Sequence, residues 1–161
     1  MLASLLLCGL LAACGGGGEP VDCTPGGTPS AQVGGGSQGT GFVALQSGDP
    51  MTVVLGPQGL YMVTPSVRVQ NMYPGQAGRT GDGADPIIEF TLELAGDTIG
   101  GSAREHMGLT VTADGAERLG VFTPFTPDIS TYIDQQVTVR VDVEDACGRT
   151  ANASLVVFAE Q

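Results

Sequence analysis

The chain has 161 residues, with 17 Asp and Glu against 6 Lys and Arg, for a formal net charge of −11. Such an acidic surface repels phosphate backbones and anionic head groups, so nucleic acid is not an expected partner. Trp is absent and aromatics are few, while 26 Gly and 10 Pro stand beside many Val and Thr, which favours strands and tight turns over helices and leaves few flat rings for stacking on bases or sugars.

Residues 1–13 are an apolar run, too short for a bilayer span of roughly 20 residues but matching a signal-peptide core of about 7–15. The run closes on Leu11-Ala12-Ala13-Cys14, and Gly15 to Gly18 follow at once, which argues against a buried N-terminal helix. Leu11-Ala12-Ala13-Cys14 resembles the lipobox of bacterial lipoproteins. That resemblance implies removal of residues 1–13, diacylglycerol (and usually palmitate on the new amine) at Cys14, and stable anchoring by several acyl chains. Gly15 rather than Asp after the cysteine implies sorting to the outer membrane of a Gram-negative cell. Secretory signals open with Lys or Arg, yet no charge precedes Glu19, which points to a start codon assigned a few codons late.

The cysteines then divide by position. Cys8 leaves with the leader and Cys14 carries lipid. Cys23 and Cys147 remain as an even pair in an oxidising compartment, either bridged or as two free thiols. Residues 14–41 are Gly, Pro, Ser, Thr and Gln with few large apolar side chains, read as a flexible tether with a reach of about 25–30 Å. A Cys23–Cys147 bond would shorten that tether and hold the domain near the membrane.

From Phe42 to the end, alternation takes over. Phe42 to Gln46 and Met51 to Leu55 are short strands, and Gly56-Pro57-Gln58-Gly59 is a turn with Gly59 suited to a left-handed conformation. The run from Leu60 to Met72 sets Val63, Val67 and Val69 on one face, with Pro65 marking a bulge or an edge. Tyr73 to Pro86 reads as a long loop. Ile87 to Leu94 then places Ile88, Phe90, Leu92 and Leu94 inward. Ala95 to His106 reads as irregular, Met107 to Thr112 directs Leu109 and Val111 inward, and Asp114-Gly115 turns the chain toward Glu117 to Phe122. Asp128 to Gln135 can hold a helical turn entered through Pro127. Val137, Val139, Val141 and Val143 alternate with Thr138, Arg140, Asp142 and Glu144. Asp145 to Arg149 turns the chain into a final strand, Ala153 to Glu160, apolar enough to be central. Seven or eight such strands predict an all-β, antiparallel two-sheet sandwich of immunoglobulin or fibronectin III type over residues 42–161, with a small up-and-down barrel as the alternative. Gly56 to Gly59, Arg68 and Asp145 to Arg149 resemble small envelope lipoproteins of myxobacteria and related Gram-negatives, a resemblance that implies fold and no activity.

Candidate chemistry is sparse. His106 is the only histidine, and no Gly-x-Ser-x-Gly elbow frames a serine for a Ser-His-Asp site. No His and Cys cluster has zinc spacing. Asp82 and Asp85 could begin a calcium shell, though EF-hand spacing is missing. Glu89 and Glu93 lie about 13 Å apart on one strand face, too far for a glycosidase pair. Arg68, Arg140 and Arg149 read as isolated cations. No cofactor is expected. The sequence therefore points to a monomeric, membrane-tethered envelope module that binds a protein or glycan, or serves structurally. A hydrolase using loop acids (Asp82, Asp85, Glu105) beside His106 and a calcium-stabilised adhesion domain are the alternatives.

Overall fold

The structure is a computed structural model that describes residues 21, 23–24, 26–75, 83–126 and 129–161. Cys8, Cys14, Asp82, Pro127 and Asp128 lie outside the described residues. The strands are β1 (Ser30–Ser37), β2 (Gly41–Ala44), β3 (Pro50–Thr52), β4 (Val54–Leu55), β5 (Tyr61–Val63), β6 (Ser66–Gln70) and β7 (Ile87–Leu94). They continue with β8 (Asp97–Gly101), β9 (Glu105–His106), β10 (Thr110–Thr112), β11 (Gly115–Arg118) and β12 (Thr123–Pro124). A 3-10 turn, Ile129–Thr131, leads into β13 (Gln135–Glu144) and β14 (Thr150–Glu160).

The chain is all-β and forms a sandwich. One sheet runs β10-β11-β6-β1-β2; the other runs β3-β14-β13-β7-β8, with β9 beside β7; a small third sheet, β12-β5-β4, closes one end. Both large sheets keep free edges, so they do not close into a barrel. The strand segments outnumber the seven or eight expected, because turns and sheet switches cut the longer runs. Pro65, for instance, separates β5 of the small sheet from β6 of a large one. The pairing is antiparallel except for β3, which runs parallel to the end of β14.

The core follows from period-2 patterning. Val137, Val139, Val141 and Val143 of β13 are buried against Ile88, Phe90 and Leu92 of β7, all three of them fully buried. Each such side chain withdrawn from water contributes about 1.5–3 kcal/mol. The register Val139↔Leu92 and Val139↔Leu155 is fixed by the same pattern, since a one-residue slip would carry Arg140 and Asp142 inward.

Several expectations need correction. The sandwich begins at Ser30, inside the segment read as tether to residue 41. Glycine composition suggested disorder there, but β1 is paired on both sides, with β2 and with β6. Its glycines permit close approach: a Cβ at Gly34 would strike the Val43 carbonyl oxygen and the Phe42 ring. Gly34→Ala is therefore expected to cost about 1–3 kcal/mol, measurable as a lower urea midpoint with unchanged m-value. The stretch from Ala95 to His106 is not irregular. Ala95 (φ 53°) and Gly96 (φ 94°) form a two-residue turn with both residues left-handed, and β8 returns along β7. Val111 lies on the inner face, opposite Ala116 and in line with Val69, yet is 67% exposed, because β10 is the outer edge strand of its sheet. Finally, β14 is not central throughout: β3 flanks only Phe158 to Glu160.

Candidate functional site

The sandwich has two ends. β13 arrives and β14 departs at the Asp145–Arg149 turn, which we name the turn end; the Gly56–Gly59 turn and the 3-10 turn lie at the other, the hairpin end.

The turn end is held by a polar knot. Cys23 and Cys147 are disulfide-bonded, with Cα atoms 5.6 Å apart and 124 positions apart in sequence. Beside the bond, the Asp145 carboxylate is buried (4% exposed) and accepts hydrogen bonds from the N–H groups of Tyr73 (2.8 Å), Cys147 (2.9 Å) and Arg149 (3.0 Å). The Arg149 guanidinium donates a fourth, 2.6 Å from Nη2, while its Nη1 donates to the Asn71 carbonyl at 2.7 Å. Burial on its own would push the Asp145 carboxyl up; the bonds from Tyr73, Arg149 and Cys147 outweigh it and hold the carboxyl below the usual carboxylate range. Asn71, itself left-handed (φ 55°), donates from Nδ2 to the Thr28 carbonyl and so ties in the segment before β1. One aspartate thus joins the stem, the end of β6 and the β13–β14 turn.

Arg68 and Arg140 are paired as well, against the expectation of isolated cations. On the outer face of the first sheet, Arg68 meets Glu117 directly across the β6–β11 ladder at 2.7 Å, with its guanidinium 4.5 Å from the centre of the Phe42 ring. Glu117 is only 6% exposed. Arg140 and Asp142 form a two-pronged pair at 2.9 Å on the outer face of the second sheet. On that face Arg104 bonds Glu144 at 2.7 Å and approaches Glu89 at 3.8 Å. These three groups, with Asp142, Thr150 and Asn152, line an open cup of about 300 Å³. Its carboxylates outnumber its cations.

Among the described residues, those weighed for catalysis do not converge; Asp82 lies outside them. The His106 ring lies 2.8 Å from the Asp85 main-chain carbonyl through Nδ1. A carbonyl only accepts, so Nδ1 carries a proton and, in the neutral ring, Nε2 is the free lone pair. The Asp85 carboxyl is buried, at 1% exposure, and packs where Gly75 has no side chain. Glu105 points into a different, shallow groove of about 320 Å³ with Ser102, Met107, Arg118 and Phe122. The Ser102 hydroxyl accepts from the Phe90 N–H and donates to the Ala103 carbonyl, so it is not poised as a nucleophile on His106. Among the described residues no group of three or more His, Cys, Asp or Glu is arranged to hold a metal ion, and Asp82 of the calcium pair lies outside them.

Apolar surface collects at the hairpin end. Val43, Leu45, Met51 and Val54 line a groove of about 290 Å³, and Leu60, Tyr61, Phe125 and Ile129 line another of about 250 Å³. Leu55 is 63% exposed nearby. The knot at Asp145 was the feature hardest to see in sequence. An Asp two residues before a Cys and four before an Arg, across a turn glycine, is the signal that could have shown it. No protein-family model, curated protein or solved structure matches this chain.

Proposed function

We propose that the protein is a cell-envelope lipoprotein, lipidated at Cys14, whose sandwich serves as a non-enzymatic binding or structural module at the outer membrane. The observation that carries the reading is Leu11-Ala12-Ala13-Cys14 followed by a glycine run. The Cys23–Cys147 bond supports it independently, because disulfides persist outside the reducing cytosol. Cys23 follows Cys14 by nine positions, a span of at most about 30 Å, so the turn end sits next to the bilayer. The hairpin end, roughly 30 Å further along β13 and β14, then faces away with its apolar grooves. The module reading is preferred to the hydrolase one because the His106 ring and the Ser102 hydroxyl bond backbone groups while Glu105 lines a shallow groove. Its partners are the membrane, through the anchor, and an envelope protein or glycan.

Expressed in a Gram-negative host, the wild-type chain is expected to incorporate a palmitate label and to fractionate with membranes. Cys14→Ala is expected to lose the label completely and to appear in the soluble envelope fraction. Labelling that survives this substitution overturns the assignment.

A further inference from the structure

β14 pairs with β13 along its whole length on one side only. On the other, β3 covers Phe158 to Glu160, and the Gly48 N–H reaches the Val156 carbonyl. In a ladder, alternate residues direct their backbone groups to the same side. The Val156 carbonyl bonds Gly48 and the Phe158 N–H bonds Asp49, so the even-numbered residues face away from β13. From Thr150 to Leu155, no strand among the described residues takes up those groups, which leaves the outward N–H and C=O of Asn152 and Ser154 open.

The edges at β2, β3, β8 and β10 are protected. β3 is three residues long and opens with Pro50; β10 is three residues; β2 is four and starts at Gly41; β8 contains Asp97 and is bridged at Gly100 to Phe125. Short length, proline and charge are the usual means of blunting an edge. Thr150 to Leu155 reads Thr-Ala-Asn-Ala-Ser-Leu, without charge, proline or glycine. Thr150, Asn152 and Ser154 are exposed on the outer face, whereas Ala153 and Leu155 are half-buried on the inner one. Beside this edge lies the cup with Glu89, Asp142 and Glu144 set against Arg104.

We propose that the open edge of β14, Thr150 to Leu155, is a docking site for an extended segment of a partner protein that adds as a further strand and carries Lys or Arg at alternate, outward positions. Main-chain bonds to Asn152 and Ser154 supply the pairing. The outward side chains of the added strand sit two strand spacings, about 10 Å, from Asp142 and Glu144, within reach of a long basic side chain. Asp142 is paired with Arg140, which lies opposite Ser154, and Glu144 with Arg104, on a face where Glu89, Asp142 and Glu144 outnumber Arg104 and Arg140. Its alternate inward residues meet Ala153 and Leu155 and are small or apolar. Charge also decides against a second copy of this chain as the occupant, since a molecule of net charge −11 would bring like charge to an acidic cup. The inference rests on the binding-module reading but does not depend on the lipid.

The test uses the full chain with its disulfide formed and a labelled hexapeptide, acetyl-Lys-Val-Lys-Thr-Lys-Val-amide, followed by fluorescence anisotropy. Saturable, salt-weakened binding is expected, reduced roughly tenfold or more when Glu replaces Lys in the peptide or when its edge-facing amides are N-methylated. Ser154→Pro removes an outward N–H without touching the β13 ladder and is expected to weaken binding by a similar factor. Asn152→Lys, which keeps every backbone group and adds a repelling charge, gives a second variant should the proline disturb folding. Equal binding of the Lys and Glu peptides, no binding, or binding indifferent to both substitutions overturns the proposal. Concentration-dependent dimerisation in sedimentation that Ser154→Pro abolishes, without peptide binding, assigns the edge to self-pairing and also overturns it. Failure here with Cys14 labelling intact leaves the lipoprotein reading standing.

Discussion

Replacing Asp145 with alanine is expected to destabilise the protein by about 3–5 kcal/mol, the usual consequence of removing one member of a buried, hydrogen-bonded ion pair. Three backbone N–H groups (Tyr73, Cys147 and Arg149) would lose their acceptor, and the Arg149 guanidinium would keep only its bond to Asn71. Arg149 Nε is already buried without a partner, so the residue has no second acceptor to turn to. The ionised carboxylate is favoured in the fold, and this fixes the sign of the pH dependence. A carboxyl lowered below its unfolded value contributes stability that is fully present above the unfolded value, about 3.9, and is lost as pH falls through the lower folded value. Urea unfolding between pH 7 and pH 2 should therefore show the wild-type protein losing stability below about pH 4. Asp145→Asn, weaker at neutral pH, should show a smaller loss over the same interval. Parallel curves for the two proteins would contradict the role assigned to the charge.

Loss of the Cys23–Cys147 bond is the other large effect. A cross-link spanning 124 residues restricts the unfolded chain strongly, and native bonds of this kind contribute about 2–5 kcal/mol. The double substitution Cys23→Ala/Cys147→Ala, or reduction of the wild type, should lower the guanidinium midpoint accordingly. Removing the bond and Asp145 together should cost less than the sum of the separate losses, because both act on the same turn. Strict additivity would show that the bond and the carboxylate stabilise different parts of the molecule.

What could be read in advance divides along physical lines. β7 and β13 were legible because each has one buried face, and Val137 to Val143 or Ile88 to Leu92 repeat every second residue. β1 was not, because its strand identity rests on backbone pairing and on the room left by Gly34 and Gly36, with Val33 its one large buried side chain. β8 was missed because its turn uses Ala95 in a left-handed conformation, where Asn or Gly is the common signal. Val111 alternates correctly for a half-buried strand, yet its burial depended on whether a second sheet extended that far. The cysteine pair could be singled out as the two left once Cys8 and Cys14 were set aside by position, whereas the partners of Arg68, Arg104 and Arg149 depended on register and on contacts dozens of residues apart. Asp145 stood inside a turn that was recognised as a turn, but its four donors come from two segments separated by some 70 residues.

The parallel pairing of β3 with the last residues of β14 has a consequence for timing. β3 lies near residue 50 and its partner near residue 160, and the sheet edge they form cannot exist until the chain is available as far as Glu160. β7 likewise waits for β13, and β1 for β6. Pairings this distant in sequence cannot form until both partners are available, and they slow the search for the native register. A polypeptide threaded through a narrow pore from its N-terminus would therefore remain unfolded during transit and close its core only on the far side, where an oxidant can join residue 23 to residue 147.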